Sequence, residues 1–343
     1  MASHTGNDAS TAGERPTRPS PAPTGVEVVC LGETMLMFAP PPHETLEYAL
    51  EYRVFNGGAE SNVAIGLQRL GVDAAWVGKL PDNALGRKVV NEIRSFGVNC
   101  NGVVWSDRGR VGTFFFEWGA PPRPMLTIYD RQDSAATTLR ADELDWEAIG
   151  AARWLHLTGI TPATSETCRQ MTIEVARRAR QAGLRVSFDV NYRSLLWSPE
   201  RARQVCAELL PHVNLLVATE ADMAMLLGET LRCEEALRQL YARGTFDAAV
   251  MTCGGDGSLG IDEAGLCRSP GYRLQLVNRL GAGDAFVAGL LYGYGCTDQG
   301  LQAGLDWGGA MAALKMTVPQ NIPLIHRGDV ERLLAGRNPD LVR

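Results

Sequence analysis

The stretch "RWLHLTG" (residues 153–159), "SETCRQMTIEVARRARQAG" (165–183), "LRVSFDVN" (184–191), "SPERARQVCAELL" (198–210) and "VNLLVAT" (213–219) alternates short apolar runs with longer amphipathic ones. The short runs are rich in Val, Leu and aromatic residues and end in polar or turn residues, as buried strands do. The longer runs open at Ser165 and Ser198, whose hydroxyls suit a helix N-cap, and the first closes at Gly183. Strand and helix in this rhythm predict βαβ units. The fold class is therefore α/β: a three-layer α/β/α sandwich, with a mostly parallel central sheet covered by helices on both faces.

The rhythm extends in both directions. Downstream, "EADMAMLLG" (220–228) and "EEALRQLYARG" (234–244) read as helices and "FDAAVMTCGG" (246–255) as a strand. Upstream, "VEVVCLGE" (26–33) reads as a strand. "AESNVAIGLQRLG" (59–71) reads as a helix with Val63, Leu67 and Leu70 on one face. "DAAWVGKL" (73–80) reads as one strand and "NALGRKVVNEIRSFG" (83–97) as a helix. Two segments, 34–55 and 110–132, break the rhythm; the second reads "RVGTFFFEWGAPPRPMLTIYDRQ". Aromatic and β-branched residues mix there with Pro and Gly, without helical period. Both predict strands of a small β-sheet projecting from the body as a lid. Phe114, Phe116 and Trp118 are expected on its exposed surface, over substrate or against a second subunit. The organisation predicted is a disordered tail over 1–24, one domain over 25–335 containing both lid segments, and a C-terminal tail over 336–343.

Composition narrows the function. Of 343 residues, 45% are hydrophobic and 21% charged, as in ordinary globular proteins. The net charge of −6 supplies no electrostatic footprint for nucleic acid. No apolar run is long enough to span a membrane. Residues 1–24, rich in Pro, Ser, Thr and Gly, lack the apolar core of a secretory signal. The eight cysteines show no CxxC pair, and most sit in apolar segments. They read as buried thiols of a reducing, cytoplasmic compartment. The five histidines form no HxH or HExxH pattern, which argues against a zinc site.

The C-terminal ends of parallel strands, where α/β folds bind ligands, carry Glu33, Asp189–Arg193, Thr219-Glu220 and Gly254–Gly257, and four constellations offer chemistry. In "NRLGAGDAF" (278–286), Gly281 and Gly283 precede a helix. Glycines there let the backbone turn tightly and aim several N–H groups at one spot, which the helix terminus makes attractive to phosphate. Asp284 beside such a cradle suits a base that accepts a proton from an attacking hydroxyl. The same residues also spell an aspartate cap behind a glycine turn. In "FNGGAESNVAIG" (55–66), Gly57 and Gly58 permit close approach and Asn62 can donate to and accept from hydroxyls. In "FDVNYRSLLW" (188–197), Arg193 offers a planar fork for a carboxylate or phosphate. In "TIYDRQDSA" (127–135), Tyr129 and Arg131 alternate and share one face. Two cations aimed at one pocket imply an acidic substrate. Each of these three also reads as an ordinary turn or surface pair. No GxxxxGK[ST] run, no GxSxG elbow and no GxGxxG after the first strand is present, which argues against a P-loop enzyme and lowers the weight of a dehydrogenase.

The pair "GGAESNVAIGLQRLG" and "GAGDAFVAGL", about 220 residues apart, resembles the two signatures of the ribokinase-like (PfkB-type) carbohydrate kinases. The resemblance runs from about Val26 to Leu334. Together with "FDVNYRSLLW" and "AALKMTVPQNIP" (312–323), it is most similar to the branch that phosphorylates 2-keto-3-deoxygluconate. It implies transfer of the ATP γ-phosphate to a hydroxyl of a sugar acid, giving the 6-phosphate, with Mg2+ and in some members a monovalent cation such as K+. It implies Asp284 as base and the amides of Gly281, Ala282 and Gly283 around the transferring phosphoryl group. Gly57, Gly58, Asn62, Tyr129, Arg131 and Arg193 would hold the sugar acid. Thr219, Thr252, Gly254 and Gly257 would lie along ATP with Gly283, residues 308–321 would approach the adenine, and Asp222 would organise magnesium waters. A homo-oligomer, dimeric or larger, is also implied. The chain departs from the pattern at Asn278-Arg279-Leu280, where the family reads Asp-Thr-Thr, and at Thr219-Glu220-Ala221-Asp222, where it reads NxxE. In the lid it has Tyr129-Asp130-Arg131 where the branch carries Tyr-Tyr-Arg. The alternatives are another sugar kinase of the family, acting on fructose or 5-keto-2-deoxygluconate, and a weakly active sugar-acid-binding homologue.

Overall fold

The computed structural model describes residues 25–119 and 122–336. The tail predicted over 1–24 and residues 337–343 lie outside the described residues. Fourteen strands are described: β1 (Val28–Leu31), β2 (Met35–Ala39), β3 (Arg53–Gly57), β4 (Ala74–Val77), β5 (Lys79–Pro81), β6 (Val104–Ser106), β7 (Thr113–Glu117), β8 (Leu126–Asp130), β9 (Trp154–Thr158), β10 (Arg185–Asp189), β11 (Leu215–Thr219), β12 (Ala248–Thr252), β13 (Ser258–Asp262) and β14 (Gly265–Ser269).

Eight of them form the main sheet, in the order β14-β13-β12-β11-β10-β9-β1-β4. From β12 to β4 every neighbouring pair is parallel; β13 and β14 add an antiparallel hairpin at one edge. Alternate residues of each central strand feed two separate cores. Val28 and Cys30 of β1 join Leu215 and Val217 of β11 on one face, under the helices Ala59–Leu70, Ala282–Leu290 and Leu301–Met316. Val29, Leu31, Leu216 and Ala218 point the other way, under Glu166–Gln181, Pro199–Leu209 and Cys233–Arg243. A strand buried on both faces must be apolar throughout, which is why these segments read as unbroken runs. Ser165 and Ser198 cap their helices as predicted, accepting from the amides of Cys168 and Arg201.

The segment 73–80 is not one strand. It breaks at Gly78 into β4, in the main sheet, and β5, which pairs with β6 in a two-stranded sheet.

The two lid segments assemble into a sheet of their own, in the order β3-β2-β7-β8. The prediction that Phe114 and Phe116 are exposed does not hold: they are 5% and 2% exposed. The pleat of β7 turns both inward onto Met35 and Met37, while Phe115 between them faces outward and stacks on Phe38 at 5.4 Å.

Chain order places β4 on one side of β1 and β9 on the other. Crossovers therefore diverge between β1 and β9, and a crevice opens beyond the C-terminal ends of the strands there. Among the described residues no helix is long and apolar enough to cross a membrane.

Candidate active site

The two glycine motifs meet in that crevice. Gly281 stands just before the helix Ala282–Leu290 with φ +83°, and a Cβ on it would lie 1.9 Å from the Asn321 carbonyl oxygen. Only glycine fits both demands. The turn carries Asp284 to the first-turn end of its helix, where Asn62 Nδ2 donates to Asp284 Oδ2 at 2.7 Å across 222 residues of sequence. Close helix packing makes this possible: a Cβ on Gly66 would lie 2.7 Å from the Ala288 Cβ. Hydrogen bonds to a charged group are worth about 1.5–3 kcal/mol, so this one fixes the carboxylate as well as linking the helices.

A cleft of about 1290 Å3 opens above Asp284, and the inner face of the small sheet forms one wall. Gly57, Gly58, Asn62, Tyr129, Arg131 and Arg193 all line it. Asn191 adopts φ +42° and donates to Asp189 Oδ2 at 3.0 Å, turning the chain after β10 so that Arg193 reaches the cleft. Arg193 forms no ion pair among the described residues; its guanidinium donates only to the Tyr192 carbonyl, at 3.3 Å. Arg131 differs. It is held by buried Glu33, donating through Nε at 2.9 Å and through Nη2 to the same oxygen, while Ser134 Oγ donates to the other oxygen at 2.8 Å. One of the two predicted cations is thus free and the other is already neutralised.

The floor is acidic. Burial raises Asp284 to about 6, against the pull of Asn62, Arg193 and Lys315. Burial, and then the charges of Asp222 and Asp284, push Asp189 well above the usual carboxylate range. Asp222 is also a helix cap: Oδ2 accepts from the amide and hydroxyl of Thr219 at 2.8 Å, and Oδ1 from the Tyr192 amide at 3.1 Å. Oδ1 keeps a lone pair for a water.

On the glycine turn, the amides of Gly281 and Gly283 make no hydrogen bond among the described residues, whereas that of Ala282 donates to the Arg279 carbonyl at 3.1 Å. Thr219 and Thr252 line the cleft, at the ends of adjacent strands. Gly254 and Gly257 do not. A Cβ on Gly254 would meet nothing within 4 Å, so the backbone there is open; one on Gly257 would lie 2.1 Å from the Ser269 carbonyl oxygen, so that glycine serves the hairpin. Of residues 308–321, only Asn321 is in the cleft wall.

A family model described as "pfkB family carbohydrate kinase" matches residues 26–324, most of the chain. The chain belongs to that family. As a PfkB carbohydrate kinase it is 40% identical, over 317 residues, to the 2-dehydro-3-deoxygalactonokinase of Haloferax volcanii, covering 92% of this chain and 99% of that one. It is 33% identical to fructokinase-1 of Zea mays, covering 77% and 81%. In structure it is similar to the 2-dehydro-3-deoxygluconokinase of Thermotoga maritima, with a TM-score of 0.86, 30% identity, and coverage of 91% and 99%.

The atypical residues of this carbohydrate kinase have visible jobs. Asn278 closes the turn: Oδ1 accepts from the Leu280 amide at 3.0 Å and Nδ2 donates to the Pro319 carbonyl at 2.8 Å. Its own carbonyl accepts from Nζ of fully buried Lys315 at 2.9 Å. Burial lowers Lys315 to about 8, while the Asp284 carboxylate pulls the other way. Arg279 is exposed and lines the cleft beside the glycines. Sequence reading missed three functional candidates: Lys315, Arg279 and Glu60. Glu60 lines the cleft yet is 1% exposed, and Oε1 accepts from Thr158 at 2.7 Å and Thr161 at 2.8 Å. A charged residue on the apolar-periodic helix face, between Gly58 and Asn62, was the signal available for it.

Proposed function

We propose that the chain transfers the γ-phosphate of ATP to the terminal hydroxyl of a 2-dehydro-3-deoxy sugar acid, with the gluconate first among candidates. The observation that carries this reading is Arg193, a guanidinium without a carboxylate partner among the described residues, in the wall of the cleft above Asp284. It offers a carboxylated sugar a bidentate partner, while fructose has nothing to pair with it. The H. volcanii and T. maritima relatives, named for sugar acids, favour the same class. Tyr129 and the remaining donors of Arg131 would complete the acid's site. Gly57, Gly58 and Asn62 would meet sugar oxygens.

In this reading Asp284, held by Asn62, accepts the hydroxyl proton as the bond to phosphorus forms. The free amides of Gly281 and Gly283 receive the charge that collects on the phosphoryl oxygens, and Arg279 adds a cation at the same mouth. ATP would run past Thr219 and Thr252 towards the open backbone at Gly254. Asp222, whose Oδ1 keeps a lone pair, suits Mg2+ bound through water, which would neutralise phosphate charge. A monovalent cation fits less well, because the buried Lys315 ammonium already supplies a fixed positive charge behind the glycine turn.

ADP release should be followed with 2-keto-3-deoxygluconate, its galactonate epimer, 5-keto-2-deoxygluconate and fructose. The expected result is kcat/KM for a 2-keto-3-deoxy acid at least about 100-fold above fructose, as for a site with a buried or oriented polar partner left unmatched. Preference for fructose overturns the reading.

A further inference from the structure

A second cluster of ligating side chains lies outside the cleft. Glu220, Cys233 and Cys253 each place one ligand atom within 4.8 Å of the other two. They come from three elements: Glu220 opens the helix Glu220–Leu227, Cys233 opens the helix Cys233–Arg243, and Cys253 follows β12. None of them lines the cleft, although Glu220 and Cys253 directly follow Thr219 and Thr252, which do. Cys233 Sγ donates to Glu220 Oε1 at 2.8 Å, and Glu220 forms no ion pair among the described residues. Both sulfurs belong to half-buried residues and the carboxylate to an exposed one, so the cluster opens to solvent on its oxygen side.

We propose that Glu220, Cys233 and Cys253 form a binding site for a soft divalent cation, zinc foremost. Thiolates select thiophilic ions over magnesium, which takes oxygen ligands. A tetrahedral ion holding sulfur at about 2.3 Å and oxygen at about 2.0–2.2 Å sets its donors roughly 3.5–3.8 Å apart. Reaching this needs the Cys233–Glu220 pair to open from 2.8 Å by up to about 1 Å, and any pair near the 4.8 Å limit to close by about 1 Å, with water filling the fourth position. Without an ion both sulfurs are free thiols, Cys233 donating to Glu220. Binding releases one proton from each thiol, and each sulfur then donates an electron pair to the metal. The ion ties two helix starts to the end of β12 and so stabilises the folded chain by mass action.

The full-length chain, reduced and freed of reductant without oxygen, should be titrated with Co2+ and then Zn2+. A sulfur-to-cobalt charge-transfer band should saturate at one equivalent and vanish on adding zinc. Zinc should also raise the Tm. Cys233→Ser and Cys253→Ser should each lose the band and the zinc-dependent rise while folding normally without metal. If either variant does not fold, Glu220→Gln provides the comparison, and its cobalt affinity should fall at least about tenfold. The proposal is overturned by absence of a charge-transfer band at excess cobalt, by a band that survives in Cys233→Ser/Cys253→Ser, or by a Tm that zinc leaves unchanged.

Discussion

Asp284 is both a helix-start residue and a poised base. A carboxylate beside free amides at a helix terminus would ordinarily titrate low, yet burial holds this one at about 6. If it takes the proton, kcat/KM for the sugar acid must fall as pH drops through about 6, because the base is then protonated. Asp284→Asn should lower kcat by on the order of 10²–10⁴ with ATP affinity largely kept, and should remove that acid limb from the residual activity. Near-normal turnover in the variant would remove Asp284 from this role. Arg193→Ala should raise KM for the acid by about 10–100-fold with little change in KM for ATP, the loss of one charge-assisted contact. An unchanged KM would place the carboxylate elsewhere. Arg131→Ala is a different experiment, since it strands buried Glu33 without its cation and should destabilise the fold. Sequence made Asp284, Asn62 and Arg193 legible because glycine turns and strand ends narrow what can stand there. It did not make Glu33 legible as the partner of Arg131, 98 residues away: an ion pair between a lid strand and the end of β1 leaves no periodic trace. Nor did it make the thiol cluster legible, whose ligands are separated by 13 and 20 residues and meet only once three elements are folded.

The helix Ala59–Leu70 shows how an element's packing sets chemistry. Its first turn buries Glu60 in a slot against Gly32, where a Cβ on the glycine would lie 2.1 Å from the Glu60 carboxyl carbon. Desolvation raises Glu60 from 4.5 to about 7, despite the two threonine hydroxyls that favour its charged form. The folded state therefore holds this proton more tightly than the unfolded chain. Its contribution to stability is full below pH 4.5, declines as pH rises, and is lost above about 7. Glu60→Gln can still accept both hydroxyls on Oε1 but cannot ionise. Relative to the parent, it should gain about 2–4 kcal/mol between pH 4.5 and 8 in denaturant unfolding. A difference between the two proteins that stays flat across this range would show that Glu60 is not held neutral. Helices and buried strands were readable because caps and apolar runs are local signals. The division at Gly78 and the hairpin β13–β14 were not. The first depends on which sheet receives each half, and the second mixes Gly, Ser and Cys with its apolar residues.

At the scale of the molecule, the α/β order followed from the rhythm of residues 153–219, while the orientation of the small sheet did not. Period-two alternation shows that β7 has two faces without showing which one meets the cleft, so the identity of the outward face had to come from the fold. That face carries an apolar row, whose β3–β2 end already rests against the main core and whose β8 end is the exposed part. Val54, Phe38, Phe115 and Ile128 stand opposite one another across β3, β2, β7 and β8, with Tyr52 edge-on to Phe115 at 6.2 Å. Ile128 is 49% exposed and its neighbour on the same face, Leu126, 46%. A row of this kind on a four-stranded sheet would be covered most economically by a second copy of itself, since a two-fold axis sets identical apolar rows face to face. We therefore expect the full chain to form a dimer through the outer faces of two small sheets. Ile128→Asp places a charge at the exposed end of the row without touching the cleft side of β8. It should convert the dimer to monomer in light scattering coupled to size exclusion, while the circular dichroism stays that of the parent. A parent that elutes as monomer at micromolar concentration, or a variant that remains dimeric, would show that the row is covered by something other than a second copy.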